Sequence, residues 1–174
     1  LEARPNSGIY LRRASDESSI DTLAMLAELG EIPSPIDIRE SIEVRTILEL
    51  EGVKLACERR TEADLARLSE LVQMSDQMIA RGENFHELDT AFHLALATAS
   101  HNSVLVRVLN SFYLFSAGRR RALFDNMKRG KVSTKEHRAL LAAVQARNVK
   151  LAQTLISAHI QRGIDYWTQM LGDA

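Results

Sequence analysis

Residues 84–100 read NFHELDTAFHLALATAS, an apolar helical stretch that carries Asp89 and His93 four positions apart. Side chains at i and i+4 stack on one face of a helix, so the carboxylate and the imidazole point the same way. At about 100° per residue, Phe85, Phe92 and Leu96 lie on or beside that face. Two polar groups able to hold a metal are thereby aimed toward a core, where burial without partners costs on the order of several kcal/mol. Other parts of the chain have to answer them.

Working outward, the neighbouring segments are helical too. Thr61 is placed to cap TEADLARLSELVQMSDQMIAR, which Gly82 ends, and Asn84 then opens the central helix. Upstream, Asp37 with Glu40 three residues on resembles a capping box ahead of a long helix over residues 37–60. A first helix is expected over residues 19–29, stopped by Gly30 and Pro33. Downstream, Asn102 caps SVLVRVLNSFYLFSAGRRRALF, and residues 126–132, with Gly130, read as a loop. Ser133 and Glu136 read as a capping box before HRALLAAVQARN, and a last helix covers residues 149–171. Six or seven helices with short connections predict an all-α antiparallel bundle. Pro5-Asn6-Ser7-Gly8 reads as a turn, Ile9-Tyr10-Leu11 as a β-prone segment too short for a sheet of its own, and residues 12–18 as a polar linker.

A length of 174 residues suits one domain that buries roughly 70% of its unfolded surface. The formal net charge of −1 gives no global electrostatic case for nucleic-acid binding by these residues. The single cysteine, Cys57, excludes an internal disulfide and leaves metal chemistry to histidine and carboxylate. No apolar run approaches ~18 residues and no signal peptide is visible, so the cytoplasm is the expected compartment. The chain opens on Leu1 rather than Met and is expected to be part of something longer.

Three of the five histidines lie on apolar helical faces. His93 is one; His137 shares its face with Leu140, Leu141 and Val144; His159 shares its face with Ala152, Leu155, Ile156 and Met170. His86 sits toward a polar edge and His101 at a helix junction, and neither is assigned to the site. Singly, each candidate is explained by a core hydrogen bond or a helix-surface pair. Together, Asp89, His93, His137 and His159 come from three inward faces and suit a borderline divalent ion: zinc first, with nickel or manganese as alternatives. Arg45 lies in an apolar face with Ile38, Val44, Leu48 and Ala56, and Glu49 follows one turn on. It reads either as an i, i+4 pair with Glu49 or, if it opens on the same cavity, as a bidentate fork for a carboxylate. Arg119-Arg120-Arg121 reads as a solvated helix segment, and Tyr166, Trp167 and Met170 as core or packing residues.

Three segments resemble the ligand-binding C-terminal domain of the FadR subfamily of GntR-type bacterial transcription regulators. They are EVRTILELEGVKLACERRTEADL (43–65), LDTAFHLALATASHN (88–102) with its D-x3-H and Ser-x-Asn turn, and EHRALLAAVQARN followed by AHIQRG. The resemblance covers residues 19–171. It implies a helical effector-binding and dimerisation domain over residues 14–174, enclosing a cavity, and makes residues 1–13 the end of a preceding winged helix-turn-helix domain. It further implies a metal held by Asp89, His93, His137 and His159, a small carboxylate effector met by Arg45 with Asn102 lining the pocket, a homodimer, and DNA contact only through the preceding domain.

Two other functions compete with an effector sensor. Three imidazoles and a carboxylate with open positions also suit a metal-dependent, hydrolase-like enzyme, yet no HExxH pair, no paired ExxH and no evident nucleophile accompanies them. A metal serving only as a structural staple is the third.

Overall fold

The computed structural model describes residues 2–10 and 18–172, with side chains at 2–4, 9 and 166–172 left aside. The readings made for residues 11–17 and for the side chains of Tyr166, Trp167 and Met170 therefore lie outside the described residues. A short antiparallel hairpin, β1 (Glu2–Arg4) and β2 (Gly8–Tyr10), precedes the helices. Ala3 pairs with Ile9, and Asn6 at φ 58° and Gly8 at φ 123° turn the chain between the strands. The β-prone segment thus finds a partner strand that sequence patterning did not show.

The helices are α1 (Ile20–Glu28), α2 (Pro35–Arg59), α3 (Glu62–Ala80), α4 (His86–Thr98), α5 (Ser103–Phe124), α6 (Met127–Gln145) and α7 (Val149–Gly172). Their ends follow from local chemistry. Thr61 and Asp64 form the capping box of α3, and the Asn102 side chain accepts from the backbone N–H groups of Val104 and Leu105 to start α5. The Asn84 side chain accepts from the His86 N–H at the start of α4.

Two starts differ from expectation. Helix α2 is capped by Ser34, with Pro35 in the first turn, and Asp37 is the reciprocal member of that box rather than the cap. Helix α6 begins at Met127 under an Asn126 cap, so residues 127–132 are helical and Ser133 and Glu136 lie inside the helix. Gly130 lies within this helix, and its bare Cα makes room for the Phe85 ring: a Cβ there would meet Phe85 Cε1 at 2.9 Å.

Beyond α3, short connections fold each helix back onto the one before it. Helix α2 lies along α7, α3 packs on α4 and α6, and α1 packs on α5. The core joins Val53, Ala56 and Cys57 of α2 to Leu68 of α3, Phe92 of α4, Leu140 and Val144 of α6, and Ala152 and Ile156 of α7. Two arginines tie helix ends together. The Arg147 guanidinium donates to the Cys57 and Glu58 carbonyls at the end of α2, and Arg60 donates to the Gln145 carbonyl at the end of α6. This frame holds α4, α6 and α7 with their histidine-bearing faces toward one another.

Candidate functional site

Asp89 and His93 occupy one face of α4, as their spacing requires, and both are buried. His137 enters from α6, fully buried and stacked on Phe92 with ring centroids 4.0 Å apart. His159 enters from α7. One donor atom from each of the four lies within 4.8 Å of the others. His93 Nε2 is 3.1 Å from His159 Nε2, and His137 Nε2 is 3.3 Å from Asp89 Oδ1. His86 and His101 stand elsewhere: His86 turns to Asn84, and His101 pairs with Asp64 on α3.

Groups behind these side chains fix which atoms face inward. His93 Nδ1 lies 2.7 Å from Glu49 Oε2, and His159 Nδ1 lies 2.6 Å from Glu136 Oε2. An ionised carboxylate only accepts, so both imidazoles donate through Nδ1, which in a neutral ring leaves Nε2 as a lone pair. Burial works against the charge on Glu49, but Arg45 and His93 reverse this and hold its carboxyl well below the usual range. Burial lowers the His93 and His137 pKa values, which keeps those rings neutral. Asp89 is likewise pushed up by burial and pulled further down by Arg120 and then by His137, His93 and His159; it stays an anion. Among the described residues, His137 Nδ1 has no hydrogen-bond partner, and the stack on Phe92 sets its ring plane instead.

Several of these contributors were invisible or misread in the sequence. Arg120, which its basic run predicts to be solvated, is buried and donates to Asp89 Oδ2. It follows Tyr113 by seven residues, two helical turns along the inner face of α5, and that spacing was the available signal. Ser133, taken as a cap, donates from Oγ to Asp89 Oδ1 at 2.9 Å. Glu136, its supposed capping partner, binds His159 and also Arg162. Glu49 accepts from Arg45 Nε at 2.5 Å and Tyr113 Oη at 2.7 Å besides His93, so it joins α2, α4 and α5. No local pattern marks such a role.

Beside the cluster lies a cleft of about 290 Å³, partly open to solvent rather than enclosed. His159, Ser133, Arg120 and Arg45 border it on the cluster side. Arg45 therefore opens on the same space as His159, while its Nε and Nη2 are already engaged by Glu49 and Tyr113. Its surroundings are less apolar than expected, because Val44 is exposed. Asn102 is not among the residues that border the cleft; it caps α5.

Helices α4, α6 and α7 thus converge on a buried polar cluster beside a basic cleft, in an all-α bundle. A family model described as the FCD domain matches residues 40–162. The HTH-type transcriptional regulator LutR of Bacillus subtilis is 31% identical over 165 residues, covering 92% of this chain and 74% of LutR. The Glc operon transcriptional activator of Escherichia coli K12 is 30% identical over 139 residues, covering 73% of this chain and 54% of the activator. Among solved structures, E. coli McbR/YncC superimposes with a TM-score of 0.72 at 21% identity, over 87% of this chain and 79% of that one. The chain belongs to the FCD family, the C-terminal domain of GntR-type transcription regulators. Its relatives are transcription regulators and not enzymes, which sets the hydrolase reading aside. No helix among the described residues is long and apolar enough to cross a membrane.

Proposed function

We propose that this domain senses a small organic acid with the help of a divalent metal ion held by Asp89, His93, His137 and His159. The observation that carries the reading is the approach of His93 Nε2 to His159 Nε2 at 3.1 Å, with both rings committed to donate through Nδ1. In the neutral form that ligates metals, the two rings turn their Nε2 lone pairs on one another, and a bound cation satisfies both. Two nitrogens bound to one ion at about 2.0–2.1 Å each lie roughly 3 Å apart, which fits. Imidazole and carboxylate donors suit zinc first, and nickel or manganese next. Glu49 and Glu136 are the outer carboxylates that orient the ligating rings.

When bound, the ion supplies positive charge and coordination positions for an acidic ligand. The chain's own residues do the rest. Arg120 and Ser133 hold Asp89 in place, Glu49 and Glu136 hold the imidazole tautomers, and Arg45 presents its guanidinium at the cleft wall for a carboxylate. A ligand in the cleft touches α2, α5, α6 and α7 together, so it can favour one arrangement of these helices only by binding that arrangement more tightly.

Regulators of this family bind DNA and small effectors, usually as dimers. We take residues 14–174 as an effector-binding and homodimerising unit acting in the cytoplasm, and residues 1–13 as the end of a preceding winged helix-turn-helix domain through which DNA is contacted. The hairpin's main contacts are within itself, which suits that assignment. Thermal unfolding distinguishes sensor from staple: a small acid is expected to raise the midpoint of the zinc-loaded protein and leave the chelator-stripped protein unchanged. Equal shifts in both forms would remove the metal from ligand recognition.

A further inference from the structure

The cleft carries more positive charge than its own carboxylates answer. Six cationic side chains border it (Arg45, Arg119, Arg120, Lys128, Arg129 and Arg162) against one acid, Glu136. Three are matched: Arg45 with Glu49, Arg120 with Asp89, and Arg162 with Glu136. Arg119 and Lys128 form no ion pair among the described residues.

Arg119 is half-buried with its guanidinium 4.7 Å above the Phe115 ring, and burial alone draws its pKa down, with no carboxylate opposing. Lys128 and Arg129 occupy the first turn of α6, which holds no acidic residue. The helix dipole makes that end favourable for anions and unfavourable for cations. Lys128, placed against the dipole, and the Arg119 guanidinium border the same cleft with no carboxylate to answer them, and together they mark a place for a negative group. Ile42, Leu123, Val132 and Ile160 supply apolar wall to the cleft.

We propose that the cleft takes an acid with two separated anionic groups, one turned toward the cluster and the second held by Arg119 and Lys128. This rests on the reading of the cleft as an organic-acid site and adds the charge number of the ligand. The second group is a carboxylate or a phosphoryl group, since a guanidinium and an ammonium serve either. A monocarboxylate leaves the Arg119–Lys128 edge unanswered.

The test is calorimetric titration of the zinc-loaded protein, at one ionic strength, with butyrate, succinate and 3-phosphonopropionate, which share a chain length. At least one dianion is expected to bind about tenfold or more tightly than butyrate. Arg119→Gln and Lys128→Gln should each shrink that advantage while zinc content and butyrate affinity stay as in the parent. Succinate against 3-phosphonopropionate reports which second group is preferred. Butyrate binding as tightly as both dianions, or an advantage that survives the double substitution, overturns the proposal and leaves the organic-acid site standing. Failure of all three to bind overturns the organic-acid reading as well.

Discussion

Replacing Glu136 by glutamine should weaken metal binding while leaving the fold nearly as stable as before. Glu136 Oε2 accepts from His159 Nδ1 at 2.6 Å, and Oε1 forms an ion pair with Arg162 at 2.5 Å. The Glu136 side chain is 16% exposed and that of Arg162 is 44% exposed, so the arginine end of the ion pair is solvated and the pair is worth about 1 kcal/mol. The contact with His159 does more for the site than for the fold. The carboxylate keeps the imidazole proton on Nδ1 and so keeps Nε2 free to ligate; an amide can present either an oxygen or an NH2 group and removes that preference. Loss of such a contact lowers metal affinity about 10- to 100-fold, or about 1.4–2.7 kcal/mol. Competition of chelator-stripped protein against a chromophoric zinc indicator measures the affinity, and thermal unfolding in chelator measures the fold. Glu136→Gln should lose at least about tenfold in zinc affinity, with its chelated midpoint within about 4 °C of the parent. Unchanged zinc affinity in Glu136→Gln, alongside loss of zinc in His159→Ala, would show that His159 is oriented by something else.

Other outcomes follow from the same geometry. Gly130→Ala places a methyl group 2.9 Å from a buried Phe85 ring atom and should destabilise by about 1–3 kcal/mol despite alanine's higher helix propensity, read as a lower unfolding midpoint. For the metal-free protein, the folded pKa values of His93 and His137 lie below their ordinary 6.5, so the unfolded chain takes up protons first as pH falls. Stability should therefore decline below pH 6.5 until the folded values are reached. The depressed Glu49 and Asp89 add a second decline below the ordinary carboxylate range, and denaturant titrations across pH measure both. With a formal charge of −1, these residues alone should not retard operator DNA specifically in a gel, whereas specific retardation would place the DNA-reading surface within them.

The helices and their inward faces were legible because periodicity and capping are local. Thr61 and Asn102 cap as read, and the four potential ligands come together because each sits on an apolar stripe that burial turns inward. The start of α6 was not legible. Gly130 resembles a loop signal, but what calls for a glycine there is the Phe85 ring, which lies 45 residues earlier in the chain. That error turned Ser133 and Glu136 into a cap and concealed two site residues. Arg120 was hidden by its flanking arginines, since a basic run reads as solvent-facing until the α5 face is traced from Tyr113. Glu49 looked complete with Arg45 one turn away, although its other oxygen serves a histidine 44 residues distant. Partners that arrive from other helices leave no spacing to read.

The most direct test of the central claim is the metal content of the purified domain after equilibration with zinc and exhaustive dialysis, by elemental analysis against protein concentration. The parent protein should retain about one ion per chain, as one site of four protein ligands implies. His137→Ala and His159→Ala should lose most of it, and His86→Ala and His101→Ala should match the parent. A parent protein that keeps no ion, or a set of variants that all keep the same amount, would contradict a metal centre built from Asp89, His93, His137 and His159.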